Sequence, residues 1–334
     1  MKIAVIGGGN IGRVFGVMLS EHHDLKLVES KVPKTISIDN FSLYNLTGDF
    51  GSKSQLVQVV DKIENLDNDL DVVFVCTKLF DGINVLKKVR EKIKPTGAIV
   101  TIQNMFWIDR VSAIIKPENA VFMVLDFCTV TKDNITYIKN TEGIRLGIIN
   151  KDAYPKLTMV TEILEKICHV EQISDIMGFT LGRNILNIAI SLLGGATGLN
   201  LGQILSDKIL RKIFIEIIFE GMQLFSSFNV KILPYHEKLD YYMFMQKTFK
   251  GILYRHRIIK ILKKNNSRVC SSILYNLERN RKNCEVLTVV KSFISHAQLK
   301  KIKIPHISTL YQIIIDIKDG KRRINKNIYK EIIK

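Results

Sequence analysis

Apolar residues in the first 150 positions fall into short runs separated by stretches of helical spacing. Lys2-Ile3-Ala4-Val5-Ile6 opens the chain as a buried strand, and residues 10–21, after a glycine turn, predict a helix. Leu25–Val28, Val72–Cys76, Ala98–Ile102 and Val121–Leu125 predict further strands. Asp81–Lys92, with Ile83, Val85, Leu86 and Val89 at helical intervals, predicts a helix between two of them. Ile135–Ile138 and Ile144–Ile148 predict strands at the far edge of the sheet, whereas residues 30–60 show no clear period. Alternation of this kind implies a mostly parallel sheet with helices on both faces. From about Tyr154 the period becomes helical for long stretches, as in Leu205–Phe228, Ile294–Leu299 and Ile307–Ile317. The expected architecture is an α/β domain of residues 1–152 followed by an all-helical domain of residues 153–334.

Charge sharpens this division. The net charge is +17, yet residues 1–170 carry 21 basic and 20 acidic side chains, and residues 171–334 the other 28 and 12. The excess in the helical half points to an anionic ligand, partner or surface. A hydrophobic content of 46% supplies two cores and excludes a collagen-like or disordered chain. Cys76, Cys128, Cys168, Cys270 and Cys284 are odd in number, widely spaced and form no CxxC pair, which reads as reduced thiols in a cytoplasmic protein. No signal peptide and no membrane span are expected, since no apolar run approaches ~18 residues. Zinc-ligand spacing and a hydrolase elbow are both missing from the sequence, so no metal site is expected. The basic stretch Lys247–Lys264, with Phe249 and Tyr254 interleaved, reads as a solvated helix face, and nucleic acid is not the expected partner.

The most informative motif is Gly7-Gly8-Gly9-Asn10-Ile11-Gly12, which fits GxGxxG between a strand and a helix. The first glycine permits a tight turn and the second a close approach to a pyrophosphate. The third lets helix and strand pack together. The main-chain amides of Gly7 to Gly12 and the positive helix end would then hold the phosphates. This makes the first domain a Rossmann-type dinucleotide-binding domain. Glu29, at the end of the second strand, is placed to accept from ribose hydroxyls, which favours NAD slightly over NADP. Lys31 and Lys34 argue the other way.

The opening MKIAVIGGGNIG resembles the ketopantoate reductase (2-dehydropantoate 2-reductase) family. Val75-Cys76-Thr77-Lys78 looks like that family's strand ending in a lysine, and Gln103-Asn104 like its Gln-Asn-Gly turn, with Met105 replacing the glycine. Asp175-Ile176, Asn187, Gly198 and Gly202 fall into step with its helical domain. Ser271-Ser272-Ile273-Leu274, Asn280-Arg281-Lys282 and Ile304-Pro305-His306 extend the resemblance to about residue 318. The resemblance implies reduction of a small anionic 2-keto acid by NADP or NAD, of the pantothenate-biosynthesis type. It implies Lys78 and Asn104 near the cofactor. Lys78, Asn187, Ser272 and Glu285 are carried over to the substrate side. The family's proton-donating lysine falls on Arg183, its second asparagine on Ser191 and its glutamate on Cys284, next to Glu285. Arginine stays protonated and is a poor proton donor. The alternative is therefore a dinucleotide-binding homologue with lost or redirected catalysis, a sensor or assembly subunit. The apolar helices of the second half exceed what a small bundle needs, and a homodimer through that half is expected.

Overall fold

The computed structural model describes residues 1–30, 36–45, 52–77, 79–102, 111, 113–125, 128–132, 135–139, 143–234, 239–265, 267–279 and 284–332. The chain divides into two compact units, Met1–Ile176 and Met177–Lys334.

The first unit is built on one sheet. Its strands are β1 (Lys2–Ile6), β2 (Asp24–Val28), β3 (Ile36–Asn45), β4 (Ser52–Val60), β5 (Leu70–Val75), β6 (Ile93–Thr101), β7 (Ala120–Leu125), β8 (Cys128–Lys132), β9 (Ile135–Lys139), β10 (Ile144–Gly147) and β11 (Val170–Gln172). They lie in the order β11-β10-β7-β6-β5-β1-β2-β4-β3-β9-β8. β1 pairs in parallel with β2 on one side and β5 on the other. Such a reversal of strand order opens a crevice beyond the carboxyl ends of the strands, the place where open α/β sheets take ligands. The central strands are covered on both faces, which is why they read as continuous apolar runs; all six residues of β7 are buried. Helix α1 (Asn10–Ser20) packs on this sheet through Phe15, whose ring stacks on Phe74 of β5 at 5.3 Å. Helix α2 (Leu79–Val89) follows β5.

Three sequence expectations change here. The featureless stretch 30–60 contains the long antiparallel pair β3 and β4. The outer part of β4 alternates exposed and half-buried polar residues, Ser52 to Gln55, so no apolar run announces it. The strands at Ile135 and Ile144 do not share an edge: β9 pairs with β3 near one margin and β10 with β7 near the other. Helix α3 (Tyr154–Glu165) buries Leu157, Val160, Ile163 and Leu164 in the same cluster as Val100, Met123 and Leu146. The first compact unit thus runs beyond the expected division at residues 152 and 153, because a helical period does not say what a helix packs on.

The second unit holds α4 (Ile176–Thr197), α5 (Leu201–Ser206), α6 (Lys208–Ser226), α7 (Tyr241–Met245), α8 (Phe249–Asn265), α9 (Ser272–Glu278), α10 (Glu285–Leu299), α11 (Pro305–Lys318) and α12 (Tyr329–Ile332). No strand occurs in it among the described residues. The single helix expected from Leu205 is broken at Asp207, whose carboxylate accepts from the Ile209 and Leu210 amides and so starts α6. Helix α4 is long and apolar enough to cross a membrane, with mean hydropathy 1.4, but 78% of that window is buried within the fold. It is a core helix, and Tyr241 anchors to it by donating its hydroxyl to the Gly182 carbonyl at 2.5 Å.

A buried carboxylate holds the last long helix. Glu220 of α6 accepts from the backbone amides of His306 and Ile307 at 2.8 and 2.9 Å and from His306 Nδ1 at 2.7 Å. It thereby caps α11, whose own N-cap, Ile304, has no side chain able to do so. The hydrogen bond that His306 donates to Glu220 raises the His306 pKa, outweighing its partial burial. A histidine whose folded pKa lies above its unfolded value stabilises the fold fully below about pH 6.5 and loses that contribution as pH rises through the folded pKa. Thermal melts are expected to show a lower Tm at pH 8 than at pH 6, and Glu220→Gln to flatten that dependence. Glu220→Ala is expected to cost about 2–3 kcal/mol in chemical denaturation, since it leaves buried amides without an acceptor. A pH dependence that survives Glu220→Gln would assign it to other groups.

Candidate functional site

Two groups of sequence-selected residues are brought together, one in each unit. In the first unit the chain leaves β1 at Ile6 and turns at Gly7, whose φ is +109°, a region disfavoured for any residue with a Cβ. Its amide donates to the Val28 carbonyl at 3.0 Å, tying the turn to the end of β2. A Cβ on Gly12 would be driven into the Gly7 carbonyl oxygen, so helix and turn meet only because Gly12 has none. A Cβ on Gly9 would meet nothing within 4 Å. Gly9 is also the N-cap of α1, with no side-chain cap and no acidic residue in the first turn. The open side of the turn therefore presents uncapped amides and the positive end of an eleven-residue helix.

A cavity of about 660 Å³ lies over this turn, lined by Gly7, Gly8, Gly9, Glu29, Ile63 and Val85 among others. Its volume is within the range of small-molecule and cofactor sites. The glycines and the uncapped helix start fit a dinucleotide's phosphates. Glu29, one residue past β2, fits a ribose, and the side chains of Ile63 and Val85 offer apolar surface for a base. Asn10 lines the cavity too, but its side-chain amide donates to the Thr129 carbonyl at 3.0 Å, holding β8 against the turn. Ile11 is partly buried against the core. Lys31, Lys34, Lys78 and Asn104 lie outside the described residues. Cys76, just before Thr77, has its thiol pKa pushed far up by burial, so it is no nucleophile at neutral pH.

Sequence reading missed Arg13. Its Nε donates to the Gly8 carbonyl at 3.1 Å and its Nη2 lies 3.8 Å from Glu29 Oε1. The signal was an arginine immediately after the last glycine of the motif, on the helix turn facing the crevice.

In the second unit Arg183, Asn187 and Ser191 sit four residues apart on α4, with Arg183 half-buried, Asn187 exposed and Ser191 1% exposed. The start of α9 docks on this face. Ser271 Oγ donates to the Ser191 carbonyl at 2.8 Å and accepts from the Leu274 amide at 3.1 Å. Gly194 makes room, since a Cβ there would come within 2.6 Å of Ser271 Cβ. Ser271 is therefore the helix cap, which leaves Ser272 exposed at the first helical position with its hydroxyl 3.3 Å from Ser191 Oγ. Ser191 donates to Asn187 Oδ1 at 3.2 Å. A hydroxyl has one proton, so Ser272 must be the donor to Ser191. The chain of bonds runs Ser272 to Ser191 to Asn187, and the Asn187 amide nitrogen, on an exposed residue, makes no bond within it.

Asn276, one turn beyond Ser272, donates to the Ser272 carbonyl at 2.7 Å and approaches Cys284 Sγ at 3.7 Å. Cys284 is the buried N-cap residue of α10, and burial raises its thiol pKa. Glu285 is exposed on the first turn of α10, immediately after Cys284. Among the described residues no group of three His, Cys, Asp or Glu side chains could hold a metal.

Comparisons with known proteins agree with this layout. The sequence profile of the family described as ketopantoate reductase PanE/ApbA matches residues 3–150, and that of its C-terminal domain matches residues 175–318. No curated protein matches the chain. Among solved structures, the PanE/ApbA family ketopantoate reductase from Ralstonia eutropha JMP134 is 17% identical. The match covers 97% of this chain and 100% of that one, with a TM-score of 0.75. D-mandelate dehydrogenase, solved with NADH and anilino(oxo)acetate, is 13% identical over 96% and 99% of the two chains, also with a TM-score of 0.75. A dimeric ketopantoate reductase from Staphylococcus aureus is 12% identical over 96% and 100%, with a TM-score of 0.68. At such identities the structural likeness speaks for the fold alone.

Proposed function

The chain belongs to the ketopantoate reductase family, and from that premise we propose that it reduces a small 2-keto acid to the 2-hydroxy acid with NADH or NADPH, as a 2-dehydropantoate 2-reductase does. The observation that carries the reading is the meeting of Asn187, Ser191 and Ser272, up to 85 positions apart in sequence, in one hydrogen-bonded cluster on a strongly basic unit. Polar side chains are gathered on an otherwise apolar helix only where they are used or mutually satisfied. When bound, the reduced nicotinamide supplies the two electrons and the hydrogen that the keto carbon takes up.

The protein's own groups bind and orient. Arg183 pairs with the substrate carboxylate or polarises the keto oxygen, because a guanidinium keeps its charge at every working pH. It does not hand over a proton, so Lys78 or water must protonate the product alkoxide. The amide nitrogen of Asn187 donates to a substrate oxygen, and Ser272 and Ser191 hold that amide in place. The same reading includes a homodimer, as the Staphylococcus aureus relative is described, and a cytoplasmic location.

One observation favours a second reading. Ser191 is buried and its hydroxyl is satisfied inside the protein, so the cluster also serves as a polar seam between α4 and α9. A dinucleotide-binding homologue without turnover would keep that seam. Following NADH and NADPH oxidation with ketopantoate separates the two. Turnover with either cofactor is the expected result. Tight binding of the reduced cofactor without turnover of ketopantoate or other 2-keto acids would establish the second reading.

A further inference from the structure

We propose that Arg13 and Glu29 act as a pair in choosing between a ribose 2′-hydroxyl and a 2′-phosphate, with Arg13 positioning the acid and standing as the latent phosphate ligand. The inference rests on the reading that the cavity of the first unit takes a nicotinamide dinucleotide.

Arg13 is pinned to the glycine turn by its bond to the Gly8 carbonyl, and its guanidinium faces the Glu29 carboxylate. The two side chains are only 16% and 18% exposed, and both line the cavity. Glu29 lies so close over Gly8 that a Cβ on that glycine would collide with its carboxyl group. The carboxylate is thus fixed between turn and guanidinium. A fixed carboxylate accepts well from ribose hydroxyls, and it repels a phosphate at the 2′ position. The guanidinium beside it has the opposite preference, because its planar fork matches a phosphate. While Glu29 is present, its carboxylate, 3.8 Å from Arg13 Nη2, offsets that cation and rejects the phosphate. Once Glu29 is removed, the same cation is left at the cavity wall. Lys88, another cavity residue, is held by Glu64 at 2.6 Å, and Lys62 is the remaining described cation there. Any switch that runs through the lysines would not depend on Arg13, which makes the double variant decisive.

Calorimetric titration of the full chain with NADH and NADPH, without substrate, tests this in the parent, Glu29→Ser, Arg13→Gln and the double variant. The parent is expected to bind NADH roughly tenfold or more tightly than NADPH. Glu29→Ser is expected to raise NADPH affinity roughly tenfold and reverse the preference. Adding Arg13→Gln should remove that gain. Arg13→Gln alone should weaken NADH binding several-fold, because Glu29 loses its orienting partner. Glu29→Gln, nearly isosteric, serves where the serine variant melts early. An unchanged NADPH affinity in both Glu29 variants, or a gain that persists in the double variant, overturns the pair. A parent that binds neither nucleotide overturns the dinucleotide reading itself, and the pair with it; a parent that binds NADH without any switch overturns only the pair.

Discussion

Gly12→Val is expected to abolish binding of both reduced nicotinamide dinucleotides and to lower the Tm by roughly 5 °C or more. The reason is a contact between main-chain groups. A side chain on Gly12 would enter the Gly7 carbonyl oxygen, and no rotamer moves a Cβ. Gly7 cannot retreat, because the Cys76 and Thr77 backbone already lies 3.2 Å from where its own Cβ would stand. The helix must therefore lift from the turn, and Phe15 must leave its stack on Phe74. Gly9→Ala is the matched control. Gly9 has a φ of −74°, which alanine adopts freely, and its Cβ would meet nothing within the fold. It should keep its Tm within about 2 °C while losing roughly tenfold in nucleotide affinity, since the new methyl stands where a phosphate must approach. Equilibrium binding and thermal melts on the two variants check both halves. A Gly12→Val protein that binds NADH as the parent does would remove the turn from the site.

The contrast between Gly12 and Gly9 also shows which parts of the fold a sequence makes legible. β1, α1, β2, β5 and β7 are covered on both faces or on one clear stripe, so their apolar periods are strong, and they stand where the sequence put them. β4 has an outer half of exposed and half-buried Ser, Lys and Gln, and its partner β3 holds it by main-chain bonds that side-chain patterns do not report. The exchange of margins by β9 and β10 is a matter of long-range pairing, which depends on where the chain returns. The break at Asp207 was legible in principle. Asp-Lys-Ile-Leu is a capping sequence, but it lies inside an apolar period that continues on both sides.

The site divides in the same way. Gly7, Gly9, Gly12 and Glu29 were readable because each answers to a local rule of strand, turn and helix. Arg13 was not, since its meaning comes from Glu29, which belongs to the next strand. Asn187, Ser191 and Ser272 came from resemblance, and the structure adds the direction of the bonds among them. It also separates Ser271 from Ser272. Two adjacent serines at a helix start look alike in sequence, yet one is the buried cap and the other the exposed hydroxyl. Asn276 carried no signal at all: its link to Ser272 is an ordinary helical i to i+4 contact, and its approach to Cys284 depends on how α10 starts beside α9.

Arg183→Lys is expected to raise kcat for 2-keto acid reduction roughly ten- to a hundredfold, and to give the pH–rate profile an alkaline limb different from the parent's. Residue 183 precedes Asn187 by four positions, so the two side chains leave α4 about 40° apart and about 6 Å along its axis. A ligand oxygen held by Asn187 is within reach of the residue at 183. Arginine there supplies a fixed charge and no proton. Lysine, with an ordinary pKa near 10.4, supplies both, and it ceases to do so once deprotonated. Arg183→Ala should raise KM for the keto acid roughly tenfold, because a guanidinium that pairs with the substrate is lost. Steady-state kinetics from pH 6 to 10 on the three proteins decides the matter. A lysine variant with the parent's kcat and the parent's pH–rate profile would mean that no proton passes through residue 183. If the alanine variant also kept the parent KM, the polar line Arg183, Asn187 and Ser191 would be a seam between helices and not a substrate site.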